Sequence, residues 1–269
     1  DTSLPLIIDP VIEYGTYLRD GIDEDSLGII DIDTGDEDYV YILGVSDSLI
    51  LLKVDTSVTG TESLVSVTII DDNYSDYLSN YRPQHLLIDA QGDIYIAGYT
   101  QNQTYPVMVN GFQQEINLGT GAAYNNGTPY TDGFLMKLDH TGSTILYSTY
   151  IGGSGNDFAN NNSSSMAIDS SGIVYMYGSG GYLFDDFPMT DNAYKNTVVE
   201  SGTYLVKIDT TLSGAESLLY SSYVGPFYYS DGGIAVDGND NVYISGHVGS
   251  LNPDLPVTDN AYQSSNDYS

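Results

Sequence analysis

Residues 88–98 read IDAQGDIYIAG, and the same pattern returns at residues 168–178 as IDSSGIVYMYG and at residues 236–246 as VDGNDNVYISG. A looser copy with two additional residues, IDTGDEDYVYILG, occupies residues 32–44. Each copy joins a short apolar stretch, a turn rich in aspartate and glycine, and an apolar–Tyr–apolar run that ends in glycine. Asp, Asn and Gly suit tight turns, and the flanking residues favour strands. The repeat therefore predicts a series of β-hairpins.

A second repeated element is an apolar strand that ends in lysine, an apolar residue and aspartate. It occurs at residues 49–55 (LILLKVD), 134–139 (FLMKLD) and 204–209 (YLVKID). Half of the six basic residues of the chain therefore occupy one position of the repeat. We predict that each of these lysines pairs with a neighbouring carboxylate.

A third element is a strand of the Tyr-Ser-Thr-Tyr type. It reads LYSTYIGG at residues 146–153 and LYSSYVG at residues 219–225. Residues 13–18 contain the related sequence EYGTYL, and residues 64–70 carry a degraded version.

A fourth element contains proline. It reads FPMTDNAY at residues 187–194 and LPVTDNAY at residues 255–262, and residues 105–113 hold a third copy. Because proline cannot donate a hydrogen bond to a strand ladder, we expect this element to form a loop or to lie at a sheet edge.

Each unit thus contains four candidate strands in one order: the stretch before the Asp turn, the Tyr run, the lysine strand and the Tyr-Ser-Thr-Tyr strand. Strand periodicity dominates, and no run has helical spacing. Four antiparallel strands repeated radially make a β-propeller, whose blades cover one another. We therefore predict an all-β chain, a β-propeller of four-stranded antiparallel blades, as one domain over residues 1–269. About four units are visible, the last incomplete, at residues 11–55, 56–139, 140–209 and 210–269.

The four elements in this order resemble the SBBP-type β-propeller repeat of secreted bacterial and archaeal proteins. Residues 134–263 match that pattern nearly throughout, and residues 11–133 match it with gaps. The resemblance implies an extracellular or cell-surface location and mostly non-catalytic roles. The first unit departs from the pattern, because its Tyr-Ser-Thr-Tyr strand is degraded and its connection at residues 44–49 is very short.

The ends of the chain leave one unit open. The chain begins near a Tyr-Thr-Tyr stretch and stops at Ser269, before a fourth lysine strand. Either it is a fragment of a larger propeller, or another chain completes the open blade. Since an open edge is a template for strand pairing, we expect partners to be copies of the chain or neighbouring domains.

Composition excludes several classes of partner. The chain has six Lys and Arg against 37 Asp and Glu, a formal net charge of −31, and no cysteine. Such a charge repels nucleic acid and anionic lipid and attracts divalent cations. No apolar stretch approaches the ~20 residues of a membrane span, so we predict no membrane insertion.

Two acidic clusters are candidate calcium sites. Calcium binds six to eight hard oxygen atoms, and carboxylates at alternate positions of a loop can supply several. The alternative is that Asp, Asn and Gly are present because tight turns require them. The candidate ligands are Asp31, Asp33, Asp36 and Asp38 in the first cluster, which also contains Glu37, and Asp237, Asn239 and Asp240 in the second.

The sequence offers no catalytic constellation. His85, His140 and His247 occupy non-equivalent positions, and there is no Gly-x-Ser-x-Gly motif or metal-binding histidine pair. We therefore predict that the chain is not an enzyme. A polysaccharide-active enzyme stays the less favoured alternative, because some of the 37 acidic residues will lie close together.

A second alternative is a carbohydrate-binding propeller. Tyrosines outside the repeated positions could stack on sugar rings. They are Tyr124, Tyr130, Tyr182, Tyr228 and Tyr229.

The leading prediction is an extracellular, non-catalytic β-propeller that serves as a structural or adhesive module of a surface layer, filament or large adhesin. We expect calcium to stabilise it and strand complementation to join copies. Asparagine-linked glycans are also expected in a secreted protein of this composition. The candidate acceptors are Asn73, Asn102, Asn126, Asn161 and Asn162.

Overall fold

The computed structural model shows an all-β architecture. It describes residues 27–35, 38–45, 48–71, 81–103, 108–117, 131–155, 157, 164–180, 186–197, 202–225, 227–229, 232–248 and 257–263. The helices in these ranges are two short 3-10 turns, Gly60–Ser63 and Gly214–Ser217, and none is long and apolar enough to cross a membrane. The prediction of an all-β chain is confirmed.

Three four-stranded antiparallel sheets follow one another along the chain, each with its strands in sequential order. The first contains β1 (Gly28–Thr34), β2 (Tyr39–Val45), β3 (Leu49–Asp55) and β4 (Leu64–Asp71). The second contains β5 (Tyr81–Ile88), β6 (Ile94–Thr100), β7 (Asp132–Leu138) and β8 (Ile145–Ile151). The third contains β9 (Ser164–Ile168), β10 (Val174–Gly180), β11 (Gly202–Ile208) and β12 (Leu218–Gly225).

Two smaller ladders follow. In the first, β14 (Ile234–Val236) pairs with β15 (Val242–Ile244). In the second, β13 (Phe227–Tyr229) pairs with β16 (His247–Val248). The hairpin β14–β15 contains the third copy of the Asp-turn repeat, so it corresponds to the first two strands of the larger sheets.

The order of strands within each sheet is the order read from the sequence. The first two strands form the hairpin around the Asp turn, the third is the lysine strand, and the fourth is the Tyr-Ser-Thr-Tyr strand. The degraded fourth strand of the first unit still forms, as β4. Side-chain spacing and turn chemistry are local properties, which is why they could be read without the tertiary structure.

Apolar side chains fill the spaces between neighbouring sheets. One buried cluster joins side chains of the first and second sheets, and another joins the second and third. Tyr95, Tyr147 and Tyr204 belong to the second of these clusters and are each 0% exposed. Inner strands such as β6 are buried at successive positions because both faces of the sheet are covered.

The first strands of successive sheets lie side by side. β1 contacts β5, β5 contacts β9, and β9 contacts β14. Hydrogen bonds join the first pair, because the N–H groups of Leu86 and Ile88 in β5 donate to the carboxylates of Asp31 and Asp33 in β1, at 2.8 and 2.7 Å.

The proline-containing segments cover the outer edge of the fourth strand in two sheets. On β8, the N–H groups of Ser148 and Tyr150 donate to the carbonyls of Val109 and Gln113 at 2.8 and 3.0 Å. On β12, the N–H of Tyr223 donates to the Lys195 carbonyl at 3.0 Å. The expectation that these segments lie at a sheet edge is confirmed for both sheets.

Candidate functional site

The repeated aspartate organises each turn through its side chain. In the first regular copy, Asp89 Oδ1 accepts hydrogen bonds from the N–H groups of Gln91 and Asp93, both at 2.9 Å. Asp89 Oδ2 accepts from the Tyr95 hydroxyl at 3.1 Å. Gly92 has φ of +81°, an angle that glycine adopts without a steric penalty. The spacing between the aspartate and the tyrosine thus reflects a direct contact across the hairpin.

The other two copies repeat this arrangement. Asp169 accepts from Ser171 and Ile173 N–H at 2.9 and 3.0 Å and from the Tyr175 hydroxyl at 3.0 Å. Asp237 does the same with the N–H groups of residues 239 and 241 at 2.9 Å and with the hydroxyl of residue 243 at 3.1 Å. The turn is therefore a local unit that forms in all three regular copies of the motif.

Hydrogen bonding lowers the pKa of Asp237, the most exposed of these aspartates. The side-chain amide of Asn241 donates to Asp237 Oδ2 at 2.9 Å and is the largest cause that lowers the pKa of Asp237 to about 2. The backbone N–H groups of Asn241 and Asn239 act in the same direction. Asn239 thus contributes a donor to the turn. Asp240 has φ of +61°, where the regular copies have glycine.

The repeated lysine lies over the repeated tyrosine. Lys137 Nζ and Lys207 Nζ are each 4.9 Å from the ring centroids of Tyr95 and Tyr175. In the first unit, Lys53 Nζ is 5.2 Å from the ring centroid of Tyr41, the equivalent tyrosine, and 4.2 Å from that of the neighbouring Tyr39. Such cation–π contacts favour one register of the third strand against the second.

The predicted pairing of lysine with a carboxylate is confirmed at Lys137. Its Nζ lies 2.9 Å from Asp93 Oδ2 and 3.6 Å from Asp89 Oδ2. Burial is the largest single influence on the pKa of Lys137 and lowers it, but the hydrogen bonds that Lys137 donates to the Tyr95 hydroxyl and the Asp93 carboxylate raise the pKa above its ordinary value. The lysine is therefore a structural cation.

In the first predicted calcium cluster, the carboxylates of Asp31 and Asp33 accept hydrogen bonds from backbone N–H groups. The Oδ1 atoms of Asp31 and Asp33 accept the N–H groups of the residues that follow them, at 2.9 and 2.8 Å, and the Oδ2 atoms accept the two N–H groups of β5 described above. Asp38 lies at the start of the second strand, and Asp36 is outside the described residues. Asp31 and Asp33 thus join two sheets, and calcium binding at this cluster stays a prediction.

A different group of carboxylates lies near the start of β7. Asp132 and Asp157 are each 0% exposed, and Asp186 lies beside them on the exposed surface. Burial raises the pKa of Asp132 well above its ordinary value, and the nearby Asp157 raises it further. Burial also raises the pKa of Asp157 to about 8.

Sequence reasoning did not identify this group. Its members are separated along the chain and belong to no acidic run. The signal that could have found them was the pair of glycines at the end of the Tyr-Ser-Thr-Tyr strand, Gly152 and Gly153, which leaves space for side chains from elsewhere. Among the described residues, no three acidic or histidine side chains stand together in a metal-binding geometry.

Two strand edges are left uncovered by the described residues. Over residues 64–69, no described segment pairs with the outer edge of β4, and Val65, Val67 and Ile69 there are 50%, 38% and 52% exposed. No described strand pairs with the second edge of β15, and Tyr243 within it is 59% exposed. In the second and third sheets the covering segment lies between the second and third strands, and the connection between β2 and β3 is too short to hold such a segment.

Most of the remaining predicted residues fall outside the described part of the chain. The backbone of Tyr228 and Tyr229 belongs to β13, and Asn102 follows β6, with its carbonyl accepting the Tyr150 hydroxyl at 2.9 Å. Glycan binding and glycosylation stay predictions. Outside the described residues lie Tyr124, Tyr130, Tyr182, Asn73, Asn126, Asn161 and Asn162.

The sequence of this chain was compared with family models and with curated proteins. Neither the family models nor the curated proteins contain a match to this chain. The resemblance to the SBBP-type repeat therefore rests on the four repeated elements themselves. The features that bear on function are the strand edges without described cover and the buried carboxylates.

Proposed function

We propose that this chain is an extracellular, non-catalytic structural or adhesive module of the β-propeller type, which assembles with copies of itself through uncovered strand edges. The observation that carries the proposal is that no described segment covers one edge of the first sheet and one edge of the hairpin β14–β15, whereas described segments cover the outer edges of the second and third sheets. Calcium is proposed as a stabilising ion.

The arrangement of the sheets supports the propeller part of the proposal. Successive four-stranded meanders with their first strands side by side and apolar clusters between their faces are typical of blades around a common axis. The Asp31 and Asp33 hydrogen bonds to β5 would then join the inner strands of two blades.

The chemistry of the β4 edge supports the assembly part. An exposed strand edge with apolar side chains pairs readily with another strand, and natural proteins usually protect such edges. In the equivalent positions of β8 and β12, a segment of the same chain provides that protection. On β4, we propose that a neighbouring copy provides it.

The β15 edge defines the complementary surface. In the second and third sheets, the strand next to the Tyr run carries a lysine paired with the tyrosine, as in Tyr95 with Lys137 and Tyr175 with Lys207. Tyr243 faces no such strand among the described residues. A contact that joins the last sheet of one copy to the first sheet of the next is head-to-tail, and such contacts build rings or filaments.

The test is a lysine substitution on the β4 edge. Val65→Lys places a charge on the uncovered strand and should abolish concentration-dependent assembly, measured by light scattering after size-exclusion chromatography and by electron microscopy. Leu219→Lys is the matched control, because Leu219 has the equivalent position on the covered strand β12 and is 37% exposed.

The two variants separate a specific effect from a general one. We expect Leu219→Lys to assemble as the unmodified chain does. Equal assembly by Val65→Lys and the unmodified chain, or a chain that is monomeric at every concentration, would overturn the proposal of edge-mediated assembly.

A further inference from the structure

The carboxylates of Asp132 and Asp157 are held in place through one oxygen each. Asp132 Oδ2 accepts the backbone N–H of Asn117 at 2.8 Å and the side-chain amide of Gln113 at 3.1 Å. Asp157 Oδ2 accepts the N–H of Gly153 at 2.7 Å. The positions of both carboxylates are therefore determined by hydrogen bonds from neighbouring segments.

The second oxygen of each carboxylate is buried and accepts no hydrogen bond. Asp132 Oδ1 and Asp157 Oδ1 have no donor within the described part of the chain. A buried polar atom without a partner is destabilising, and more so when it is charged. Two such atoms in one small region point to a ligand that supplies the missing interactions.

The backbone around Gly152 and Gly153 makes room for the carboxylates. A Cβ atom added at Gly152 would lie 2.4 Å from Asp132 Oδ1, and one added at Gly153 would lie 2.4 Å from Asp186 Oδ1. The carboxylates of Asp132 and Asp186 therefore approach the main chain at residues 152 and 153 more closely than a residue with a Cβ atom would permit. Asp186 Oδ1 also accepts the N–H of Ser154 at 2.6 Å, which keeps this third carboxylate beside the pair.

Among the described residues, no basic side chain neutralises the group. None of the ion pairs within the described ranges involves these three carboxylates. The buried pair is therefore either protonated or neutralised by a bound cation. Ionised carboxylates repel each other and lose hydration on burial, so a cation between them would relieve both effects.

We propose that Asp132 Oδ1 and Asp157 Oδ1 bind a divalent cation of the calcium class, with Asp186 as an outer carboxylate. Calcium accepts irregular shells of hard oxygen atoms, in which backbone carbonyls and water accompany the carboxylates. The absence of sulfur and imidazole from the group favours calcium over zinc. This inference deepens the proposed function and rests on it for the extracellular supply of calcium.

The experiment is a calorimetric titration of the chelator-treated full chain with calcium chloride, followed by thermal unfolding with and without calcium. It is performed on the Val65→Lys background, so that binding is measured apart from assembly. We expect one saturable site. At a calcium concentration of a hundred times the Kd, the ratio of folded to unfolded chain should rise about 100-fold.

The decisive variant is Asp157→Asn. Asparagine keeps an acceptor for the Gly153 N–H but removes the charge, so the saturable site and the calcium-dependent shift in Tm should both disappear. The matched control is Asp191→Asn, an exposed position where the same change in charge should leave binding unaltered. Asp186→Asn, also at the surface, should weaken calcium binding several-fold, and it carries the test if Asp157→Asn does not fold.

Two results would overturn the proposed cation site. One is a chain that binds no calcium at a saturable site. The other is binding that survives Asp157→Asn and Asp186→Asn but is lost in Asp33→Asn, which would assign calcium to the N-terminal cluster. Either result leaves the outcome of the Val65→Lys assembly test intact, so the two proposals fail separately.

Discussion

The hairpins β9–β10 and β14–β15 have the same turn and different surroundings. Asp169 and Asp237 each accept two backbone N–H groups and the hydroxyl of the tyrosine six residues later, and Asp237 also accepts the Asn241 side-chain amide. Yet Tyr175 is 2% exposed and Tyr243 is 59% exposed. The difference arises because Tyr175 is paired with Lys207 on the third strand, whereas β15 has no described third strand.

The comparison separates two kinds of information in one motif. The turn is produced by the aspartate and the backbone within a few residues, so it forms in both hairpins. Burial of the tyrosine depends on a strand that is distant in sequence. The motif therefore specifies a hairpin. Whether the tyrosine of that hairpin is buried depends on which other strands pack against it.

The largest expected effect is on the buried tyrosine. Tyr175→Ala should lower the free energy of unfolding by about 3–5 kcal/mol, because it leaves a cavity at a buried position and removes the hydroxyl that donates to Asp169. Tyr243→Ala should cost only a fraction of this, since its ring is already in contact with water. Chemical denaturation of both variants measures the difference, and equal losses would mean that β15 is covered in solution.

A smaller effect is expected at the turn aspartates. Asp169→Ala removes the acceptor of two N–H groups and one hydroxyl at a site that is 8% exposed, and should cost about 1–3 kcal/mol. Asp237→Ala should cost less, because water can replace the lost acceptor. The free energies of unfolding of these two variants show which turn contributes more to stability. A larger loss of stability in Asp237→Ala than in Asp169→Ala would contradict the expected order.

The smallest effect is a pH dependence confined to the exposed turn. The pKa of Asp237 is lowered to about 2, so its carboxylate form is the one that the turn stabilises. This contribution to stability is complete above the ordinary value of 3.8 and is lost as the pH falls toward about 2. Titration of the carboxyl carbon by NMR measures the pKa directly. Asn241→Ala should raise the pKa of Asp237, because the Asn241 side chain is the principal donor to this carboxylate. An unchanged pKa would show that this hydrogen bond is not the main cause of the shift.

The four strand types, their order and the Asp turns could be predicted from the sequence. These features depend on spacing and turn chemistry over about ten residues, as in residues 88–98. The sequence could not reveal that Asp31 and Asp33 bond to the backbone of β5, because that contact joins two sheets. It also could not show that Asp132 and Asp157 share a buried region, since the residues between them form β7 and β8.

The sequence by itself determined that this chain repeats a hairpin, a lysine strand and a Tyr-Ser-Thr-Tyr strand, because each is specified by neighbouring residues. Only the tertiary structure decided which edges are covered and which carboxylates lose contact with water. A proline-containing segment covers β8 and β12, and no described segment covers β4. The physical reason is that hydrogen bonding within a turn is local, whereas burial depends on every segment that packs around a residue.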